Sequence, residues 1–314
     1  MDQSNLGATQ GPLLSADHPD LRLDEAEIAT ISRFAASPLF DLGQLDVRWD
    51  EERRTLWTYM TPNGRPSFNL SMLRDFDMWQ SEIARLFGPD RELHYLVLGS
   101  RFPGVWNFGG DLNLFAKYIR AGDRQSLVDY GRRCVNILHQ NMHRLGLPAV
   151  TIGLVQGQAL GGGFEALLSF NVLIAERSAK FGLPEIAFGL FPGMGAHAFL
   201  ARRLGFAKAE EMILGGRTYS AEEIAALGLV HQLVDDGEGE AAVRDYIRLN
   251  GRRHAGNSAV YAASNEVLPV PIEELNRIVD IWADTALKLQ EKDLRLMERL
   301  VSAQSKLSAK IGPS

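Results

Sequence analysis

Two carboxylates, Glu165 and Glu185, stand twenty positions apart, and the first follows three consecutive glycines in GQALGGGFE, residues 157–165. Glycine lacks a Cβ, so a triplet lets backbone approach a ligand closely and take dihedral angles that other residues avoid. This triplet ends a strand-like run and opens a helix-like one. A helix start presents unpaired N–H groups and the positive end of the dipole, a setting for an oxyanion or a phosphate. Phosphate fits poorly: a P-loop needs Gly-Lys-Ser/Thr after its glycines, whereas this chain has Gly-Phe-Glu, and a carboxylate in the first helical turn repels phosphate. The dinucleotide pattern G-x-G-x-x-G is also absent, so no cofactor is expected. The stretch fits a site where negative charge develops transiently beside a general acid or base, or else a tight packing turn.

A second glycine turn bears on that choice. VWNFGGDL, residues 105–112, again runs strand, Gly-Gly, helix, with Asp111 suited to cap the helix. Two such turns at the ends of successive parallel strands can aim two N–H donors at one carbonyl oxygen. Losing one such donor typically costs about 10²- to 10³-fold in rate. Each carboxylate alone has a plainer reading. Glu165 favours a helix N-terminus by about 0.3–1 kcal/mol, and Glu185, in GLPEIAFGL, reads as a solvated loop residue.

The elements that must position these groups follow from periodicity. LDVRWD and TLWTYMT flank the charged turn EERR and predict a hairpin, and SMLRDFDMWQSEIARLF predicts an amphipathic helix. LHYLVLGS is apolar enough for a strand buried on both faces. Leu127, Tyr130, Cys134, Leu138, Met142 and Leu145 recur at steps of three and four, which predicts a helix from Asp123 to Leu145. The strands AVTIGLV and NVLIAE bracket the glycine triplet and its helix. Strand, helix, strand in this rhythm implies parallel crossovers, so the class is α/β. Past residue 256 only helical patterns remain, with a stripe of Leu275, Ile278, Val279, Trp282, Ala286 and Leu289. The expected organisation is an N-terminal extension with a short helix (1–44, the helix in DEAEIATISRFAAS), an α/β core (45–255) and a helical region (256–314).

Composition sets outer bounds. The 314 residues are 46% hydrophobic, enough for a large core, and the formal charge of −6 gathers into no basic stripe of the kind nucleic acid selects. A single cysteine, Cys134, forms no internal disulfide, which suits a reducing compartment. No signal-peptide pattern opens the chain and no run approaches the about 18 apolar residues of a membrane span, so a cytoplasmic protein not embedded in a membrane is expected.

The stretch from WNFGGDL through VQGQALGGGFEALLSFNVLIAERSAKFGLPEIAFGLFPGMGA to RRLGFAKAEEMILGGRTYSAEEIAALGLVHQLV resembles the crotonase superfamily, the enoyl-CoA hydratases and isomerases, over roughly residues 45–255. The resemblance implies a spiral of ββα units with helices at the C-terminus, a homo-trimer or hexamer, and an oxyanion hole for an acyl thioester at the N–H groups of Gly110 and Gly162. It implies that Glu165 and Glu185 add or remove water across the α and β carbons, with α-proton transfer at Glu185 and hydroxyl or water handling at Glu165. The N-terminal extension, the bulky VWNFGGDL and FGLFPGMGAHAFLARRLG are most similar to the bacterial diffusible signal factor synthases. That likeness implies a 3-hydroxyacyl group on acyl carrier protein, release of a free cis-2-unsaturated fatty acid for quorum sensing, and a receiver domain of a sensor kinase as partner. An acyl-CoA substrate hydrated to the trans series, and a catalytically silent docking protein, are the alternatives. Gly109 and Gly161 complete the two turns. Met194, Trp282 and Leu160 read either as the lining of an alkyl slot or as ordinary core, and Phe108 could crowd a nucleotide-bearing carrier.

Some residues are set aside. His139 and His143 have a metal-compatible i, i+4 spacing, but the intervening residues lack the glutamate of a metalloprotease helix, and no metal is expected. Ser100, Ser169 and Ser178 lack a nucleophile-elbow context.

Overall fold

The charged turn Glu51–Arg54 joins β1 (Leu45–Asp50) to β2 (Thr55–Met60), which pair antiparallel with Leu45 opposite Met60. The computed structural model describes residues 34–88 and 91–311, with side chains through residue 306. The expected helix at residues 24–37 lies largely outside the described residues. Of the two contact units, Met1–Ala36 is described only at its last three residues, and everything below concerns Ser37–Ser314.

After α1 (Leu70–Leu86), capped by the Asn69 side chain on the Met72 N–H, the chain winds through a repeated unit. Each unit lays one strand in a large sheet, a short strand in a smaller one, and then a helix or helical turn. The first comprises β3 (Tyr95–Ser100), β4 (Val105–Asn107), α2 (Leu112–Arg120) and α3 (Arg124–Met142). The second is β5 (Val150–Val155), β6 (Gln158–Leu160) and α4 (Gly162–Leu167). The third is β7 (Val172–Glu176), β8 (Lys180–Gly182) and a 3-10 turn at Pro184–Phe188. Then come α5 (Ala196–Leu204), α6 (Phe206–Gly215), β9 (Thr218–Ser220), α7 (Ala221–Ala226), β10 (Gln232–Val234) and α8 (Gly239–Asn250). The larger sheet has the order β1-β2-β3-β5-β7-β10, parallel from β2 onward, and the smaller β4-β6-β8-β9, antiparallel only at β8–β9. This is the α/β spiral of ββα units that the resemblance implied.

Strands covered on both faces must be apolar throughout, and β3, β5 and β7 are buried at every position. Val97, Ile152, Leu154 and Ile174 pack with Val243 and Ile247 of α8 to form one core. On α3 the expected stripe is buried through Met142, but the helix stops there. Leu145, expected on that face, takes φ 56° in a turn of left-handed residues, Arg144 to Gly146, and is only half-buried. The reversal that delivers the chain to β5 overrides the helical period.

The helical region runs α9 (His254–Val267), α10 (Ile272–Ala286) and α11 (Glu291–Ile311). Leu275, Val279, Trp282 and Ala286 are the buried face of α10. Gly131, midway along α3, lets α10 come close: a Cβ there would lie 2.6 Å from Val279 Cγ1. Helix α11 lies against α2 and the 3-10 turn, and Arg120 binds both Glu291 and Glu298. No helix among the described residues is long and apolar enough to cross a membrane.

Candidate active site

The two glycine turns meet backbone to backbone. A Cβ on Gly109 would fall 2.4 Å from the Gly162 nitrogen, and one on Gly163 would fall 2.2 Å from the Asn107 carbonyl oxygen. Contacts under 3.0 Å do not occur for real Cβ atoms, so only glycine permits this approach. Gly109 (φ 82°) and Gly161 (φ 53°) also occupy the left-handed region.

The hydrogen bonds of the first turn leave one donor over. The Phe108 N–H donates to Pro66 O (2.8 Å), that of Gly109 to Asn107 Oδ1 (2.7 Å), and that of Asp111 to the Tyr130 hydroxyl (3.3 Å). Tyr130 in turn donates to Phe68 O, and the Asp111 carboxylate caps α2 at the Leu114 N–H. Gly110 N–H has no acceptor among the described residues, although neighbouring groups in so buried a turn are paired. In the second turn Gly161 N–H donates to Gly182 O (2.8 Å), and Gly162 leads α4, where the first N–H groups have no helical acceptor. The backbone thus offers Gly110 and Gly162 as donors side by side. Arg65 steadies the first of them: its guanidinium reaches Gly110 O (3.3 Å) and Gln304 Oε1 (3.1 Å), tying the turn to α11.

Both carboxylates face this notch. Glu165, 1% exposed, accepts through Oε1 from the Met194 N–H (2.8 Å) and the Ala196 N–H (3.0 Å). Burial raises its pKa, and these two bonds, which favour the charged form, limit the rise. Glu185 begins the 3-10 turn after β8, which returns it to the same end of the sheet. Its Oε1 lies against Gly161, where a Cβ would be 2.5 Å away, and its Oε2 is sealed from solvent without a partner. Burial raises the Glu185 pKa, and the nearby Glu165 charge raises it further. The charged form of Glu165 is the better hydrogen-bonded of the two, so Glu185 takes up a proton the more readily. Such an arrangement can take a proton at one carbon and deliver or remove hydroxide at the next while N–H donors hold an oxyanion.

A narrow cleft joins these groups, and its lining includes Phe108, Gly110, Gly161, Gly162, Glu165, Glu185, Met194 and Trp282. Met194 lies across the notch, its Sδ 2.9 Å from a Cβ built on Gly162. Trp282 packs on Gly193 and edge-on to Phe115. Leu160 is not part of the lining; its side chain packs against Gly182 on the neighbouring strand. Sequence reasoning missed Phe115, Leu300, Gln304 and Arg65. Phe115 follows Leu112 by one helical step and was findable, whereas nothing local marks Leu300 and Gln304 of α11 as cleft residues. The His139 and His143 rings lie 4.2 Å apart at a tilt of 37°, and the His139 carbonyl engages His143 Nδ1 (2.8 Å), away from this cleft.

Comparison with known proteins agrees with this geometry. The family model described as enoyl-CoA hydratase/isomerase matches residues 82–275. The chain is 34% identical over 161 residues to the mitochondrial methylglutaconyl-CoA hydratase of Rattus norvegicus, covering 51% of this chain and 49% of that one. It is 51% identical over 84 residues to a probable enoyl-CoA hydratase of Mycobacterium tuberculosis, covering 27% of this chain and 33% of the other. The matched stretch thus spans about half or less of these curated relatives. Among solved structures, DspI of Pseudomonas aeruginosa superposes with a TM-score of 0.61 at 27% identity over 76% of this chain and 88% of that one. An enoyl-CoA hydratase of Bacillus halodurans superposes with a TM-score of 0.66 at 20% identity over 82% and 100%. Two abutting glycine turns, a glutamate pair lining one cleft and a family match over more than half its length establish that this chain belongs to the enoyl-CoA hydratase/isomerase family, the crotonases.

Proposed function

We propose that the protein dehydrates a medium- or long-chain 3-hydroxyacyl thioester, carried by acyl carrier protein, and hydrolyses the product to a free cis-2-unsaturated fatty acid. The observation that carries the reading is the enclosed Glu165–Glu185 pair facing two adjoining N–H donors. The thioester oxygen docks on Gly110 and Gly162. Glu185, ionised, takes the α-proton as the enolate forms against the N–H groups. Glu165, protonated, gives its proton to the β-hydroxyl, which leaves as water as the double bond closes. The proton then rests on Glu185 and the charge on Glu165, the distribution that burial and the Met194 and Ala196 N–H groups favour. Water next attacks the same polarised carbonyl; the C–S bond breaks, and the carrier thiol leaves with a proton. Phe108 at the turn, beside a cleft with little spare room, supports a carrier slimmer than a nucleotide. By likeness to the signal synthases, a sensor-kinase receiver domain is the proposed regulatory partner, and a homo-trimer or hexamer the proposed assembly.

A proton on Glu185, which is the end state of that dehydration, is the starting state of a second reading, trans-2-enoyl-CoA hydration. Charged Glu165 activates water while protonated Glu185 supplies the α-proton. Mass spectrometry against cis and trans standards, with 3-hydroxydodecanoyl-acyl carrier protein and its CoA counterpart, separates the two. Free cis-2-enoic acid from the carrier-protein substrate, lost in Glu165→Gln and Glu185→Gln, supports the first. Reversible trans hydration of the CoA substrate alone refutes it in favour of the second.

A further inference from the structure

The first oxyanion donor is the N–H of a glycine, Gly110, and a glycine holds no direction of its own. That N–H lies in the peptide plane shared with Gly109, whereas the Gly110 carbonyl lies in the plane shared with Asp111. The two planes are clamped separately. The first accepts at Gly109 O from the Phe68 N–H (2.8 Å). The second accepts at Gly110 O from Arg65 Nη2 (3.3 Å) and donates from the Asp111 N–H to the Tyr130 hydroxyl (3.3 Å). Pro66 O, next to Arg65, takes the Phe108 N–H (2.8 Å), so residues 65–68 form the frame on which the turn is stretched.

Arg65 is the cation of that frame. Its side chain is 12% exposed, and burial lowers its pKa against the pull of the Asp111 carboxylate 3.9 Å away. A guanidinium stays charged even so. Its second nitrogen, Nη1, reaches Gln304 Oε1 (3.1 Å) on α11, and Gln304 lines the cleft beside Leu300. One rigid group therefore touches the donor residue on one side and a wall of the cleft on the other. The planar fork fixes the angle between those two contacts, which an ammonium group does not.

We infer that Arg65 is a positioning residue, which aligns the Gly110 N–H with the thioester oxygen and ties that alignment to the seating of α11 against the cleft. The inference rests on the acyl-thioester reading above and adds to it what aims the donor. Without the guanidinium, the second plane loses the Arg65 bond at its carbonyl, and Gly110 turns more freely about its own Cα.

The test uses the pantetheine amide of dodecanoic acid, with nitrogen in place of the thioester sulfur and an isotopic label on the carbonyl carbon. The pantetheine arm is common to CoA and acyl carrier protein, and this probe has no 3-hydroxyl to lose and no thioester to hydrolyse. Isotope-edited infrared difference spectra read the bound carbonyl, whose stretch falls in frequency as N–H donors close on it. Arg65→Met keeps the stem and removes the fork; Arg65→Lys keeps the charge. In Arg65→Met the band should move back to higher frequency. Its kcat for an enoyl thioester should fall by about tenfold or more with KM unchanged, the ceiling being the about 10²- to 10³-fold of a donor lost outright. Arg65→Lys should recover part of both changes. An unmoved band and an unchanged kcat in Arg65→Met, whatever happens to Tm, overturn the inference and leave Arg65 a structural residue. If Arg65→Met does not fold, Gln304→Leu decides by cutting the far end of the link: the same upward movement of the band supports the inference, and an unmoved band overturns it. A bound probe whose carbonyl band is not lowered even in the unaltered protein would overturn the donor pair itself, a failure distinct from that of Arg65.

Discussion

The glycine contact between the two turns allows one donor to be moved without altering any side chain that does chemistry. In Gly109→Ala the new Cβ lies 2.4 Å from the Gly162 nitrogen, 2.9 Å from Leu160 O and 3.0 Å from Gly162 Cα, all backbone atoms that cannot swing aside. Ordinary contact begins near 3.4 Å, so Gly162 must retreat by about 1 Å, a displacement that can cost about 10²-fold in rate. Loss of the donor outright would cost about 10²- to 10³-fold. Forcing alanine into the left-handed region adds about 1–2 kcal/mol of strain, and this must be separated from the displacement. Gly64→Ala is the control: φ there is 94°, and a Cβ meets nothing within 4 Å. The assay is the loss of the enoyl thioester's ultraviolet absorbance, with thermal melting in parallel. The expected outcome is similar strain in both variants and a large fall in kcat only in Gly109→Ala. A Gly109→Ala enzyme with kcat within a few-fold of the parent, or a Gly64→Ala enzyme equally impaired, would refute the paired-donor reasoning.

Glu165→Gln and Glu185→Gln should each lower kcat by about 10²- to 10⁴-fold while far-ultraviolet circular dichroism stays unchanged. Stability should depend on pH with a definite sign. Both carboxyls have folded-state pKa values raised by burial, so the folded protein keeps protons that the unfolded chain has lost. The contribution of these two groups is fully present below the ordinary carboxylate range and is lost as pH rises through about 7 for Glu165 and about 8 for Glu185. Glu185→Gln should flatten the decline in Tm against pH, and a parallel curve would argue that the side chain is not buried as described. Tyr130→Phe leaves the Asp111 N–H and Phe68 O without their partner and should cost about 1–3 kcal/mol by chemical denaturation, with a fall in kcat as the Gly110 turn loosens. Arg120→Ala, which cuts exposed ion pairs to Glu291 and Glu298, should change stability by no more than about 1 kcal/mol per pair, measured with and without salt.

Much of this was legible in the sequence, and the exceptions have physical causes. The hairpin of β1 and β2, helix α1 and strands β3, β5 and β7 announced themselves because each is long enough to show a period or a buried run. The smaller sheet did not. Its strands, such as Val105–Asn107 and Lys180–Gly182, have three residues each and no period to detect. Leu145 matched the spacing of α3 but lies past a reversal that spacing cannot sense. At the site, the glycines and carboxylates stood out because their chemistry is local. That Glu165 also binds the Met194 loop, or that Gln304 reaches Arg65 across 239 residues, depends on long-range packing no local pattern carries.

The smaller sheet has one more consequence. Successive coils of the spiral touch along this edge through bare backbone: Gly157 against Gly104, Gly163 against Asn107, Gly109 against Gly162. The gap between the two donors is therefore the pitch of the coil, a length fixed by peptide thickness. Side chains elsewhere can drift, and the spacing of Gly110 and Gly162 does not drift with them. A one-residue insertion between β5 and β6, where only Gln156 and Gly157 connect the strands, would change that pitch and disrupt the notch even with Glu165 and Glu185 in place.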